Sequence, residues 1–427
     1  MMCTASTHLL MCLNSRVLRC AIPINSNIVN KNVDRILDMT SQLVKVTASI
    51  TLENTGKEPV SNFMVYMEPE AQGSLAFISA QDALKEDLKL EPLQIEGHKN
   101  AYDVKLRQSL TQGRTASVTI EYVYTNALQP YPNSITQKDR QLVRYFGSHY
   151  FYSPYRTNKQ TTSVTLNSRD IESYTKLKPV SQQDTTITYG PYNNIEPLTL
   201  DQLIVHYESN APFLTVTRIE RLIEISHWGN IAVQENTEIY HSGAKLKGPF
   251  SRYDYQRDSA AHNIYYRDSN GNISTSQVRP RKDWIELELR PRFPLFGGWR
   301  SSYTLGYSVP SYQYLFKSHN SQYVLKMRLL DHVFDDMQVN ELETSIVLPV
   351  GVTNIQLNTP YDVQRLRKDN LVEQHIQDLE ITYDWQPLLL LHEPILLSLA
   401  LYALFVCVII YVRLDFSIHK PEHSKTQ

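Results

Sequence analysis

No cysteine lies between Cys20 and Cys407; the other two, Cys3 and Cys12, sit near the N-terminus. The long middle of the chain therefore has no internal disulfide. Its stability must come from a buried core, which a chain of 427 residues is long enough to build. Cysteine usage leaves the cellular compartment open. Glycine is also scarce, at 14 residues against 27 tyrosines, a balance that suits pleated sheet better than flexible linker. No sign of charge dominates: 42 Lys and Arg face 44 Asp and Glu, for a formal net charge of −2. That balance argues against nucleic acid or an acidic lipid surface as a partner of the main body. The densest basic stretch, Arg279-Pro280-Arg281-Lys282 with Arg290 and Arg292, is interrupted by acidic residues and reads as a solvated loop.

Catalytic signatures are missing as well. There is no HExxH helix, since His392-Glu393 lacks the second histidine, and no Walker loop, GxSxG elbow or GxGxxG turn. Asp335-Asp336 is an acidic pair of the kind that can hold a divalent cation, but such a pair by itself reads as an exposed turn. His149, His206, His227 and His332 lie among aromatic and aliphatic residues in strand-like contexts, and are expected to be satisfied, partly buried side chains. The run His149-Tyr-Phe-Tyr-Ser-Pro-Tyr155 reads as a core strand entering a proline turn, ahead of a sugar-stacking surface. No catalytic residue, cofactor or metal ligand is assigned.

The chain does contain alternation. Val46–Leu52, Ala116–Tyr122 and Ile285–Leu289 place apolar and polar side chains on opposite faces, the mark of half-buried strands in antiparallel sheets. Gln81–Leu90 is the one stretch outside the C-terminus expected to hold a short helix. Length alone implies two to three domains, and an internal repeat shapes that expectation. Arg35-Ile-Leu-Asp-Met-Thr40 resembles Arg221-Leu-Ile-Glu-Ile-Ser226, and Gly113-Arg114 resembles Gly298-Trp-Arg300. Thr161–Leu166 parallels Thr344–Leu348, Val205–Glu208 parallels Ile381–Asp384, and Pro212 parallels Pro387. The offsets, 186, 185, 183, 176 and 175, keep one order along the chain. The fold expected is mainly β: two tandem antiparallel β-sandwich-like domains, 31–214 and 215–387, the second repeating the first.

One membrane helix is expected over 388–412, followed by a short tail, 413–427. Pro394–Val412 contains no charge, and nineteen residues at about 1.5 Å each span roughly 28 Å. Glu393 is placed at the interface, Pro394 in the first helical turn, and Trp385 and Tyr411 as bracketing interfacial aromatics. No Lys or Arg occurs between Asp369 and Glu393, whereas Arg413, Lys420 and Lys425 follow the span. The positive-inside rule then puts the tail in the cytosol and residues 1–387 in the lumen or outside the cell. Residues 1–30 form a poor or altered signal segment, because the apolar run His8–Leu13 is cut short by Asn14-Ser15-Arg16. The sequon Asn272-Ile273-Ser274, after the turn signal Asn270-Gly271, is the expected glycosylation site.

Longer strings resemble the ribophorin I family. They include His149–Tyr155, His227-Trp-Gly-Asn-Ile-Ala-Val233, Lys247–Arg257 and Arg290–Trp299, with Asp331-His-Val-Phe-Asp335, Asn370–Asp378 and Ile409–Ile418. The resemblance spans both β domains and the anchor, from Asn32 to Ile418. It implies a non-catalytic, single-pass type I subunit of oligosaccharyltransferase in the endoplasmic reticulum membrane. That complex transfers a preassembled glycan from dolichyl diphosphate to Asn in Asn-x-Ser/Thr. Implied partners are the other subunits, including a polytopic catalytic one with a WWDYG motif that this sequence lacks. The translocon, nascent glycoprotein chains and membrane lipid are also implied; nucleic acid is not. The resemblance further implies a glycan at Asn272. The chain departs from the family by being shorter between Tyr255 and Tyr265 and between Val363 and Asn370, and by having no helical cytosolic domain after the anchor. The rival expectation is a single-pass cell-surface adhesion or receptor-like β-sandwich protein.

Overall fold

The computed structural model describes residues 27–69, 73–95, 98–248, 266–273, 277–280, 285–318, 321–359, 367–386, 388 and 391–414. The expectations on residues 1–26, on the shortened stretch between Tyr255 and Tyr265, on residues 364–366 of the one between Val363 and Asn370, and on the tail beyond 414 lie outside the described residues.

The chain divides into two compact units. Residues up to Leu214 form the first, joined by 241–248 and Phe296–Trp299; Thr215–Tyr240 and the chain from Arg300 belong to the second. The excursion 241–248 contributes Lys245–Leu246, which pairs in parallel with Ser134–Ile135 of the first unit.

Ten strands build most of the first unit: β1 (Ile28–Met39), β2 (Val44–Asn54), β3 (Leu75–Asp82), β4 (Thr115–Tyr124), β5 (Leu128–Pro130), β6 (Leu142–Ser148), β7 (Thr157–Leu166), β8 (Ile171–Tyr174), β9 (Thr186–Ile195) and β10 (Gln202–Glu208). A seven-stranded sheet runs in the order Val180–Gln183, β9, β7, β1, β2, β4, β3, and a four-stranded sheet runs β8, β10, β6, β5. The second unit has β11 (Leu214–Ser226), β12 (Asn230–His241), β13 (Tyr266–Asp268), β14 (Arg300–Pro310), β15 (Leu315–Lys317), β16 (Gln322–Arg328), β17 (Gln338–Val347), β18 (Thr353–Asn358), β19 (Arg367–Leu371) and β20 (Asp378–Asp384). Its seven-stranded sheet reads β19, β17, β11, β12, β14, β13, Gly271–Asn272, and its four-stranded sheet β18, β20, β16, β15. The two orders correspond strand for strand. They differ in which edge of the large sheet takes the extra strand.

Alternation produces these elements. Along β2 every second residue from Val44 to Asn54 is buried, so one face of the sheet is apolar and the other polar. The buried face packs on the second layer: Leu37, Ile50 and Val118 join Val143, Tyr145, Val205 and Tyr207 of the four-stranded sheet in one core. Each such large side chain contributes roughly 1.5–3 kcal/mol on burial. In the second unit Val216, Ile223 and Val233 meet Leu325, Met327, Ile381 and Tyr383 in the same way. The antiparallel expectation needs one amendment. Each large sheet has a parallel pair near its centre, β1 with β7 and β11 with β17.

That register also aligns the repeat. Arg35 lies opposite Thr162 and Arg221 opposite Thr344. The repeat therefore matches Thr162, not Thr161, to Thr344, a one-residue shift that exchanges sheet faces. Both arginines are 2% exposed. Arg35 donates to Glu68 Oε1 at 3.2 Å and to the carbonyls of Ser148, His149 and Tyr150. Arg221 donates to the Glu235 carboxylate and, at 2.8 Å, to Asp331 Oδ2. Sequence reasoning reads a charged residue as solvated; here the repeat itself had paired the two without disclosing that they are buried.

Gln81–Leu90 is not a helix. β3 continues to Asp82, whose carboxylate accepts the N–H groups of Leu84 and Glu86 at 2.8 and 3.1 Å, and Lys85 takes φ 60°. The next strand starts at Leu90. Side-chain capping by Asp builds a turn that helix propensity alone does not foresee.

Candidate functional site

The sequon asparagine is held on a tight hairpin. β13 pairs antiparallel with Gly271–Asn272, joined by Ser269-Asn270. Gly271 takes φ +116°, open to glycine because it has no Cβ. The Asn270 N–H donates to Asp268 Oδ1 at 2.9 Å. Arg292 braces the hairpin from outside, donating to Asp268 Oδ2 at 2.5 Å and to the carbonyls of Gly271 and Asn272 at 3.0 and 3.3 Å. The hydrogen bond from Arg292 holds the Asp268 carboxyl below its ordinary range. Ile273 turns inward onto Tyr266, Tyr303 and Leu305, so Asn272 stands exposed on an anchored loop. Ser274, the third sequon residue, lies outside the described residues. Beside the hairpin an open polar groove of about 250 Å³ is lined by Arg218, Glu220, Asn236, Glu238 and Arg267 among others.

The other expected residues separate. His149 is buried and pairs through Nδ1 with Asp201 Oδ1 at 3.0 Å. His206 is half-buried, with Nε2 3.1 Å from the Tyr131 carbonyl. His227 stacks on Trp385 at 3.7 Å, with Nε2 3.1 Å from the Tyr383 hydroxyl; burial lowers its pKa. His332 departs from expectation: it is on a loop, half-exposed, 3.4 Å from Asp335 Oδ1 and 3.3 Å from Glu373 Oε1. These three are the one group of metal-type ligands among the described residues, with ligand atoms within 4.8 Å of one another. Asp336 is not part of it; its backbone N–H donates to Glu373 Oε1 at 2.9 Å. The three side chains partner one another on the surface.

Two further expectations change. His149–Tyr155 follows β6 as an irregular segment and not a strand, with Phe151, Tyr152 and Tyr155 buried. Side chains satisfy part of its backbone: Phe151 N–H donates to Gln160 Oε1 at 2.9 Å, and Gln160 Nε2 donates to the His149 carbonyl at 2.9 Å, while the His149 N–H donates to the Asp201 carbonyl at 2.8 Å. The basic stretch is in part structured. Arg279 lies on the strand Gln277–Pro280, and both it and Arg290 reach the buried Glu288, at 3.4 and 2.8 Å.

Helix α1 (His392–Arg413) follows the last sheet. Its stretch Pro394–Arg413 is long and apolar enough to cross a membrane, and except for half-buried Val406 its side chains are exposed on all sides. Twenty residues rise about 30 Å, the thickness of a bilayer's hydrocarbon core. Tyr411 is exposed near the C-terminal end, as expected, but Trp385 is not: it is 4% exposed and packs inward on His227.

Residues 28–369 match the family model described as Ribophorin I. The chain belongs to the ribophorin I family. Family relatives include subunit 1 of the dolichyl-diphosphooligosaccharide–protein glycosyltransferase of Caenorhabditis elegans, 41% identical over 91% of this chain and 72% of that protein. Subunits 1A and 1B of Arabidopsis thaliana are 34% and 32% identical, covering 73% and 93% of their own lengths and 95% and 91% of this chain. Among solved structures, a two-domain M1 zinc metallopeptidase bound to L-arginine aligns at a TM-score of 0.28 and 16% identity over 46% of this chain and 44% of its own. That likeness is too weak to inform the ribophorin I fold or its function.

Proposed function

We propose that this chain is an accessory, non-catalytic subunit of oligosaccharyltransferase, serving protein N-glycosylation from the endoplasmic reticulum membrane. The observation that carries the reading is the family match over 28–369, joined to relatives at 32–41% identity whose names are subunit 1 of that glycosyltransferase. The reaction served moves a preassembled glycan from dolichyl diphosphate to the asparagine of Asn-x-Ser/Thr. Its partners are the other subunits, including the polytopic catalytic one, together with the translocon and nascent glycoprotein chains.

In this reading 31–214 and 215–387 are paired lumenal domains and α1 spans the bilayer once, with the C-terminal side cytosolic. The lumenal body helps present nascent chains. The outer face of the second unit's large sheet supports that role, with an open groove of about 250 Å³ lined largely by Ser, Thr, Asn, Glu and Arg, and another of about 450 Å³ whose lining mixes Leu222, Val233 and Tyr307 with Glu224, Gln234 and Ser308. Such a face offers backbone-like hydrogen bonding to an extended polypeptide without committing to one sequence. Asn272, exposed on its braced hairpin, is itself a glycan acceptor in this topology.

Depletion of the chain followed by a pulse of a secreted reporter bearing several sequons tests the proposal. Under-glycosylated reporter, restored by re-expression, is expected. Full occupancy after depletion would refute it.

A further inference from the structure

Ahead of Leu388, three described large apolar side chains of the second unit are more than 70% exposed: Trp228 at 72%, Tyr312 at 74% and Val350 at 76%. They come from three loops, and the contacts of those loops gather them at one end of the unit. Trp228 lies in the turn between β11 and β12, and Tyr312 in the 3-10 turn Ser311–Gln313 after β14. The Ser311 N–H donates to the Gly229 carbonyl at 3.1 Å, tying the two turns together. His227, the neighbour of Trp228, stacks on Trp385 with centroids 3.7 Å apart and planes 7° apart. Trp385 Nε1–H in turn donates to the Val350 carbonyl at 3.1 Å. Exposed Lys317, at the end of β15, places its ammonium 6.0 Å from the Tyr323 ring, which meets His227 edge-on at 4.6 Å.

The same end is tied to the membrane helix. Trp385 precedes the first residue of α1, His392, by seven positions. Seven residues fully extended reach at most about 25 Å, so the Trp385 end must lie within that distance of the start of the span whatever path the link takes. Exposed Trp and Tyr side chains leave large apolar rings in water. The headgroup layer relieves that cost, because it accepts the ring and still hydrogen-bonds the N–H or O–H.

We propose that this end of the second unit is a foot on the bilayer: Trp228 and Tyr312 enter the lipid headgroup region, Val350 packs beside them, and Lys317 faces the lipid phosphates. The foot rests on the reading of α1 as a membrane anchor. It places Trp228 in the interfacial position that the sequence had assigned to Trp385.

The test is tryptophan quenching in the full chain, reconstituted into phosphatidylcholine vesicles with or without bromine on the upper acyl carbons. The native chain, Trp228→Phe and Trp299→Phe are compared, each checked by circular dichroism and vesicle flotation. All three should float, and bromolipid should quench the native chain and Trp299→Phe alike. Trp228→Phe should lose at least about half of the quenched signal, since a contact quencher reads only rings within the layer. Equal quenching of Trp228→Phe and the native chain, or none in the native chain, would overturn the foot, leave the anchor standing and assign the exposed rings to a protein partner. A chain that fails to float would refute the anchor, and the foot with it.

Discussion

Arg221 shows what a charged residue does when a sheet closes over it. Its guanidinium is held by the carboxylates of Glu235 and Asp331, and the Tyr307 hydroxyl donates to Asp331 Oδ2 at 2.6 Å. Burial works against the charge on Asp331, but Arg221 keeps that carboxyl below its usual range; on Glu235 burial outweighs Arg221 and the pKa rises. Arg221→Met leaves those groups without their cation, and urea unfolding in detergent should show a loss of about 3–5 kcal/mol. A loss under about 1 kcal/mol would mean that the cluster contributes nothing beyond packing. His375 gives a pH signature. Burial, then the charge of Lys368, depresses its pKa to about 4, and its Nδ1 accepts the Val372 N–H at 3.1 Å. The unfolded chain takes up this proton near pH 6.5 and the folded chain only near 4, so stability is full above about 6.5 and falls as pH drops towards 4. His375→Asn should flatten the unfolding midpoint over that window; an unchanged pH profile would remove His375 as the cause. The burial of neither residue was legible in the sequence. A lone Arg or His is read by its polarity, and the partners that satisfy it lie up to 110 positions away, as Asp331 does from Arg221.

At the scale of elements, strands with clean alternation were readable, since period two follows from the pleat alone: Val46–Leu52 lies within β2 and Ala116–Tyr122 within β4. Gln81–Leu90 was misread because Ala, Leu, Lys and Glu favour helices, while one side chain, Asp82, reorganised three following residues into a turn. His149–Tyr155 departs for a related reason: apolar content identifies a buried segment, but Gln160 and the backbone of Leu198 and Asp201, not a strand ladder, pair with its backbone. The anchor was legible through length and lack of charge. Leu404→Arg, near the middle of α1, should cost about 2.5–3.5 kcal/mol of insertion, and alkaline extraction of microsomes should release most of the variant. Retention equal to the native chain would contradict α1 as the span. The Asn272 hairpin predicts its own signature: Asn272→Gln should abolish one endoglycosidase-sensitive mobility shift in microsomes. A native chain without that shift would place Asn272 away from the transferase.

For the whole molecule, the repeat was the feature of the sequence that reached furthest. Five weak matches in one order foreshadowed two sets of sheets whose strand orders correspond, including a parallel pair that alternation cannot reveal. What the repeat could not foresee is the return of 241–248 and Phe296–Trp299 to the first unit, since pairing across such separations leaves no local pattern. Function was legible through long family strings, with no site motif behind it. The account therefore depends on assembly more than on any single side chain. Affinity purification of the full chain from digitonin-solubilised microsomes, assayed for glycan transfer from dolichyl diphosphate to an Asn-x-Thr peptide, tests that directly. The account predicts a stable complex containing a polytopic glycosyltransferase subunit and active in transfer. Recovery of the chain alone, with all transfer activity in the unbound fraction, would contradict it.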